Sequence, residues 1–282
     1  MTTTPTTPTT TTALGHGPII IKIGGTTLEE QRSQPGLWKS VAALARRHAG
    51  GVILVHGGGK AVDRHLAKLG FSTERREGIR ITPEDQVEQI AAVLAGSVNK
   101  SLVGSLLAAG AMPVGLCLGD GDAVPTRKAT RYAFDPGRVG EMAGGGDGRL
   151  LHTLVREGFL PVLCSIGIDR EGGFLNVNAD DAAAGAATLL GASALVLLTD
   201  VPGVLDAEKR VIPELDAAAI ESLVQRGVIS GGMIPKVRAA LEASSASGAP
   251  VVILDGNAPA ALEAWIDAKP VGTRILGAPR RG

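Results

Sequence analysis

Short apolar runs that end in glycine clusters, each followed by a segment of helical period, recur along this chain and constrain its fold more than any other feature. PIIIKIGG at 18–25 and GVILVHGGGKAVDRHLAKLG at 51–70 are the clearest cases. The apolar stretch reads as a buried strand, the glycines as a turn at its end, and KAVDRHLAKL as a helix closed by Gly70. Strand, loop and helix in succession imply parallel pairing with right-handed crossovers. Ligands of such sheets gather beyond the carboxyl ends of the strands, where these glycine loops lie.

The same alternation continues. Helical period runs over 83–110, with Thr82 before it and Pro83 in its first turn, and MPVGLCLG at 112–119 is a further buried strand. Residues 127–146 carry more Arg, Gly and isolated aromatics, and RYAFDPGRVG fits a solvent-facing hairpin better than a core element. A helix, LLHTLVREG, and a strand, LPVLCSIG, follow. A second half starts near Asn176 with the helix ADDAAAGAATLLG, the strand ALVLLTD and the loop VPGVLD, then helices near 215–226 and 233–247 and the strand PVVILD.

Composition narrows the function classes. Lys plus Arg and Asp plus Glu both number 28, so no net field steers the chain to nucleic acid or an anionic membrane, and a small-molecule partner is expected. With aromatics at 2% and 39 glycines, the core is built of Val, Leu, Ile and Ala, which suits buried parallel strands. Apolar runs such as ALVLL at 194–198 are too short to span a bilayer, so no transmembrane segment is predicted. Cys117 and Cys164 lack zinc-type spacing and read as buried free thiols. The Thr- and Pro-rich stretch 1–16 reads as a disordered tail with neither the basic nor the apolar part of a secretory signal, which makes a cytoplasmic location the default.

Several residues stand out chemically. Gly57, Gly58 and Gly59 precede a helix start, so their backbone N–H groups could hold an anion. A simple tight turn is the equal alternative, and the run forms neither a Walker loop nor a GxGxxG fingerprint. Lys22 sits inside an apolar strand, where an ammonium is costly unless an anion compensates it, although an edge strand would let it reach water. Lys236, early in a helix after two glycines, could turn back to an anion, but a surface lysine is the better reading of it alone. NVNADDAA at 176–183 offers more polar groups than one helix cap needs, with Asn178 or Asp180 as the cap. Arg80 could clamp a carboxylate or simply be exposed, and His56 reads as a structural residue at a strand end.

Together and in order, IIIKIGG, LVHGGGKAVD, GIRITPED, LAGSVNKSL, VGLCLGDGD, LPVLCSIG, LNVNADDAAA, LLTDVPGVLD, SGGMIPKV and GTRIL resemble the acetylglutamate kinase branch of the amino acid kinase family, over about Ile19 to Leu276. The resemblance implies a three-layer αβα sandwich with a mostly parallel sheet and two lobes, 17–175 binding N-acetyl-L-glutamate and forming a homodimer, 176–282 binding ATP. It implies transfer of the ATP γ-phosphoryl group to the side-chain carboxylate of N-acetyl-L-glutamate, giving N-acetyl-L-glutamyl 5-phosphate for arginine biosynthesis. By the same resemblance Lys22 and Lys236 contact the phosphoryl group from the acceptor and nucleotide sides, Gly25 and Gly58 donate backbone N–H groups, and Asp180 orients both lysines. Arg80, Asn176, Asn178, Gly57 and Gly58 would hold the acceptor. Thr199, Asp200, Val201, Gly203, Val204, Val228, Ile229 and Ser230 would line the nucleotide pocket, with magnesium carried on the ATP phosphates and no protein metal ligand assigned. Arginine-inhibited members carry an additional N-terminal helix that builds a hexamer, whereas the Thr/Pro stretch here is a poor helix former. A homodimer weakly or not at all inhibited by arginine is expected. The rivals are a kinase of another carboxylate and a non-catalytic sensor of the same fold; a nicotinamide dehydrogenase would need the missing GxGxxG.

Overall fold

Strand alternation accounts for the layering. In β1 (Ile19–Ile23), Ile19, Ile21 and Ile23 enter one buried cluster and Ile20 another, because successive side chains leave opposite faces. The same division holds in β2 (Val52–His56), where Val52 and Leu54 face one cluster and Ile53 and Val55 the other. A sheet apolar on both faces needs helices on both, and the result is a three-layer αβα sandwich. The computed structural model describes residues 15–29 and 34–278. The expected disordered tail, apart from its last two residues, lies outside the described residues.

After β1 come α1 (Gly25–Glu29) and α2 (Pro35–Arg47), and after β2 comes α3 (Gly59–Lys68). A small hairpin, β3 (Arg75–Arg76) and β4 (Ile79–Arg80), leads to α4 (Glu84–Ala91), which continues through a π-helical turn, Ala92–Val98, into α5 (Asn99–Ala108). Then follow β5 (Pro113–Cys117), β6 (Thr126–Lys128), β7 (Val139–Met142), α6 (Arg149–Arg156), β8 (Leu160–Cys164), β9 (Ile166–Ile168) and β10 (Phe174–Val177). The remainder is α7 (Ala179–Leu189), β11 (Ala194–Thr199), β12 (Glu214–Asp216), α8 (Ala217–Gln225), α9 (Met233–Ser247), β13 (Val251–Asp255), α10 (Pro259–Ile266) and β14 (Thr273–Leu276).

The main sheet has the order β12-β14-β13-β11-β1-β2-β8-β5. Its six strands from β13 to β5 are parallel, and only the β13–β14 pair is antiparallel. One helical layer presents Leu37, Trp38 and Val41 of α2, Leu66 of α3 and Leu102 of α5; the opposite layer presents small residues of α7, such as Ala183 and Ala186, and Val237 and Ala240 of α9. Alanines there let α7 lie close to the sheet.

Two expectations change on the structure. LPVLCSIG is not one strand: it leaves the main sheet at Ser165, and β9 joins β6, β7 and β10 in a separate four-stranded sheet. Residues 127–146 do contain a hairpin, β6 with β7, but Val139 and Glu141 are buried, so β7 belongs to the interior. Glu84–Ala108 is long and apolar enough, by length and composition, to cross a membrane. Its apolar face is committed to the core through Val87, Ile90, Leu94, Val98, Leu102 and Leu106. Cys164 is buried and Cys117 half-buried; they are register partners on β8 and β5 with their sulfurs 3.5 Å apart.

Candidate active site

The parallel strands β1, β2 and β11 end on the same side of the sheet, and the loops beyond them enclose two adjoining cavities. The smaller, about 260 Å³, is lined by Lys22, Gly24, Gly25, the 57–59 glycines, Arg80, Tyr132, Asn176 and the start of α7. The larger, about 950 Å³, lies between α7 and α9 and is lined by Lys22, Arg131, Thr199, Gly232, Pro235 and Lys236 among others. Lys22, Asn178 and Asp180 border both.

Lys22 is the penultimate residue of β1, in register with Leu197 of β11 and Val55 of β2, so it is a central-strand lysine and not an edge one. Its side chain is 17% exposed and its Nζ stands 2.9 Å from Asp180 Oδ1. Pairing of this kind is what makes an ammonium tolerable in such a position. Asp180 is free for it because Asn178 supplies the cap: its Oδ1 accepts from the N–H groups of Asp180 at 2.7 Å and Asp181 at 3.3 Å.

Lys236, in the first turn of α9, reaches the larger cavity, but its ion pair is with Asp200 Oδ1 at 3.4 Å. Asp180, expected to orient both lysines, pairs here with Lys22, while Lys236 pairs with Asp200, which directly follows β11. The rest of the expected nucleotide segment is unevenly placed. Thr199 borders the larger cavity, Asp200 and Ser230 are exposed, and Val201 and Val228 half-buried. Gly203, Val204 and Ile229 are packed into the core, with the Val204 N–H donated to Thr273 Oγ1 at 2.8 Å.

Gly58 shows why glycine stands at this turn. Its φ is +153°, and a Cβ there would approach Leu94 Cδ2 to 2.8 Å. The amino end of α3 then opens onto the smaller cavity beside that of α7, and two helix dipoles favour an anion there.

Arg80 is nearly buried, 9% exposed, and lies at this cavity. Its Nη1 donates to Asp63 Oδ1 at 2.6 Å and its Nη2 to the Gly59 carbonyl at 3.1 Å. Asp63 receives Arg75 on its other oxygen at 2.8 Å. Burial works against its charge, but hydrogen bonds from Arg80 and then Arg75 outweigh it and hold the carboxyl below the usual range. Asn176 donates from Nδ2 to Thr82 Oγ1 at 2.9 Å.

Tyr132 was missed in the sequence. It is the chain's single tyrosine, and it reaches the smaller cavity because the β6–β7 loop folds back over the site. It stacks on Phe134, which in turn carries Arg76 of β3 over its ring at 4.5 Å. Its neighbour Arg131 borders the larger cavity and pairs with Asp181. Burial disfavours that guanidinium's charge, but hydrogen bonds to Asp181 and Tyr132 overcome the effect and raise its pKa. A tyrosine in a chain so poor in aromatics was the available signal. Among the described residues, no three His, Cys, Asp or Glu side chains cluster as a metal site.

The model of the amino acid kinase family matches residues 17–255. The chain belongs to the amino acid kinase family. Solved structures share the fold. N-acetylglutamate synthase from Neisseria gonorrhoeae, complexed with coenzyme A and N-acetyl-glutamate, aligns with a TM-score of 0.79 and 23% identity over 94% of this chain and 60% of that one. A Streptococcus mutans protein aligns at 0.69 and 25% identity over 94% and 100% of the two chains. Carbamate kinase from Giardia lamblia, bound to AMP-PNP, aligns at 0.60 and 19% identity over 93% and 99%. This chain thus spans 60% of the Neisseria synthase.

Proposed function

We propose that this amino acid kinase is an acetylglutamate kinase acting in the cytoplasm, transferring the ATP γ-phosphoryl group to the side-chain carboxylate of N-acetyl-L-glutamate in arginine biosynthesis. The observation that carries the reading is the seam between the cavities: Lys22, Asn178 and Asp180 border both, as a group in transit between two bound substrates requires. The sheet order supports a lobe for each substrate, since the strands of residues 176–282 occupy one side, β12-β14-β13-β11, and those of 17–175 the other, β1-β2-β8-β5.

A carboxylate oxygen of the acceptor attacks the γ-phosphorus; the new O–P bond forms as the bond to the β-phosphate oxygen breaks, leaving N-acetyl-L-glutamyl 5-phosphate and ADP. The acceptor is ionised at neutral pH, so no general base is needed and catalysis rests on positioning and charge neutralisation. Lys22 meets the phosphoryl group from the smaller cavity and Lys236 from the larger, with the N–H groups of Gly25 and Gly58 as further donors. Asp180 keeps Lys22 in place. Arg80 offers its unused guanidinium donors to the α-carboxylate, with Asn176, Asn178 and Gly57 completing the acceptor site. ATP occupies the larger cavity against Thr199 and would carry magnesium on its phosphates; Asp200, Val201, Gly203, Val204 and Val228 to Ser230 support that side from behind the lining. The working unit is a homodimer.

Purified protein is given ATP and a panel of N-acetylglutamate, glutamate, aspartate and acetate, with acyl phosphate trapped by hydroxylamine. N-acetylglutamate is expected to be the preferred acceptor. Faster turnover of free glutamate sinks the assignment.

A further inference from the structure

His56 closes β2 with 0% exposure, and the reaction outlined above makes no use of its ring. Both ring nitrogens are nevertheless assigned by a chain of contacts. The Lys100 ammonium, which can only donate, reaches Asn99 Oδ1 at 3.1 Å and the Gly115 carbonyl at 3.2 Å. That leaves the Asn99 amide nitrogen facing inward, donating to the Val162 carbonyl at 2.8 Å and to His56 Nε2 at 3.0 Å. Nε2 is therefore an acceptor, and Nδ1 carries the hydrogen, donated to the Gly57 carbonyl at 2.8 Å.

The Gly57 carbonyl and the Gly58 N–H belong to one trans peptide, so fixing the first aims the second the opposite way, away from the imidazole. Gly58 borders the smaller cavity, and among the described residues its N–H donates to nothing. The helix contributes an irregularity at the same point: Ala92–Val98 is π-helical and ends directly before Asn99, while Leu94 and Val98 from that turn pack on Gly58.

We propose that His56, held by Asn99, is a positioning residue for phosphoryl transfer, turning the Gly57–Gly58 peptide so that the Gly58 N–H faces the anion in the smaller cavity. The inference rests on the reading of that cavity as the acceptor side. A peptide between two glycines has little intrinsic resistance to rotation, and a carbonyl turned toward the cavity would oppose the very charge that the N–H stabilises.

Crystal structures and kinetics of His56→Leu and His56→Asn test this. Asparagine carries its amide nitrogen where the imidazole has Nδ1, so it restores the donor that leucine lacks. In His56→Leu the Gly57–Gly58 peptide is expected to turn or to occupy two orientations, with kcat lowered about 10- to 100-fold and KM for ATP changed less than about two-fold. His56→Asn should keep the wild-type peptide and most of kcat. An unchanged Gly58 N–H direction in His56→Leu, or an equal loss of kcat in both variants, overturns the proposal. Should His56→Leu not fold, Asn99→Ala carries the test, and wild-type kcat in that variant overturns it. A wild-type protein that forms no acyl phosphate from N-acetylglutamate sinks the assigned reaction instead, and the Gly58 N–H direction in the variant crystals then decides the positioning role alone.

Discussion

The Lys22 ammonium stands 2.9 Å from the Asp180 carboxylate, and the pair borders both cavities. On the proposed reaction, an ion pair at that seam fixes where positive charge is offered to the phosphoryl group. Lys22→Ala is therefore expected to lower kcat by about 100-fold or more, with KM for the acceptor changed far less. Steady-state kinetics check this; a variant with wild-type kcat rules out the role given to Lys22.

Asp180→Asn keeps the shape of the side chain and removes the charge that holds Lys22. Since Asp180 acts through the lysine, kcat should fall about 10-fold, less than for Lys22→Ala, and the double variant should lose little more than Lys22→Ala alone. Independent, additive losses in a double-mutant cycle would contradict the coupling.

Lys236 has a different partner and, unlike Lys22, borders the larger cavity alone, which predicts a different kinetic signature. Lys236→Ala should weaken AMP-PNP binding by about 10-fold in calorimetry, the cost of about one charge-assisted hydrogen bond. Lys22→Ala should leave that affinity within about three-fold, being on the other side of the phosphate. Equal losses in the two variants would remove the assignment of sides.

His56 predicts a pH dependence of stability. Burial lowers its pKa to about 4, helped by the charge of Lys100 and opposed by the bond to the Gly57 carbonyl, against about 6.5 in the unfolded chain. Between those values the unfolded state binds the proton and the folded state does not, so stability rises with pH. About 3 kcal/mol is fully present above pH 6.5 and is lost as pH falls toward 4. Urea unfolding at a series of pH values should show this slope in the wild type and lose most of it in His56→Asn.

Gly58→Ala meets a backbone conformation hostile to any side chain, φ +153°. The nearest obstacle, Leu94 Cδ2, is the end of a side chain that can shift, so the backbone strain dominates, and a loss of about 1–3 kcal/mol is expected in the same unfolding assay.

How much of this site the sequence discloses depends on whether a residue violates its local context. Lys22 does, as an ammonium in IIIKIGG, and Gly58 does, as part of a glycine run at a strand end; both are at the site. Lys236 does not, since a lysine early in a helix is ordinary, and only its company in the chain singles it out. Tyr132 and Asn99 escape for a different reason. Tyr132 sits in an Arg- and Gly-rich stretch that reads as solvent-facing, and only the return of β7 onto β6 brings it over the cavity. Asn99 lies in a helix whose apolar period continues to either side, and its burial depends on the π-helical turn before it, which no period in the sequence announces. The break of LPVLCSIG at Ser165 is equally silent, because both sheets that the segment joins are apolar.

The parallel pairing of β1 with β11 has a consequence for the chain as it leaves the ribosome. Until residues 194–199 emerge, β1 is the open edge of a half-built sheet, four apolar backbone positions wide and paired only with β2. That edge stays unguarded while the intervening segment is made, and Lys22 meets Asp180 and Leu197 only after both have left the ribosome. Arrival of β11 thus does two things in one step: it covers the exposed edge of β1 and completes the strand pairing on both sides of Lys22.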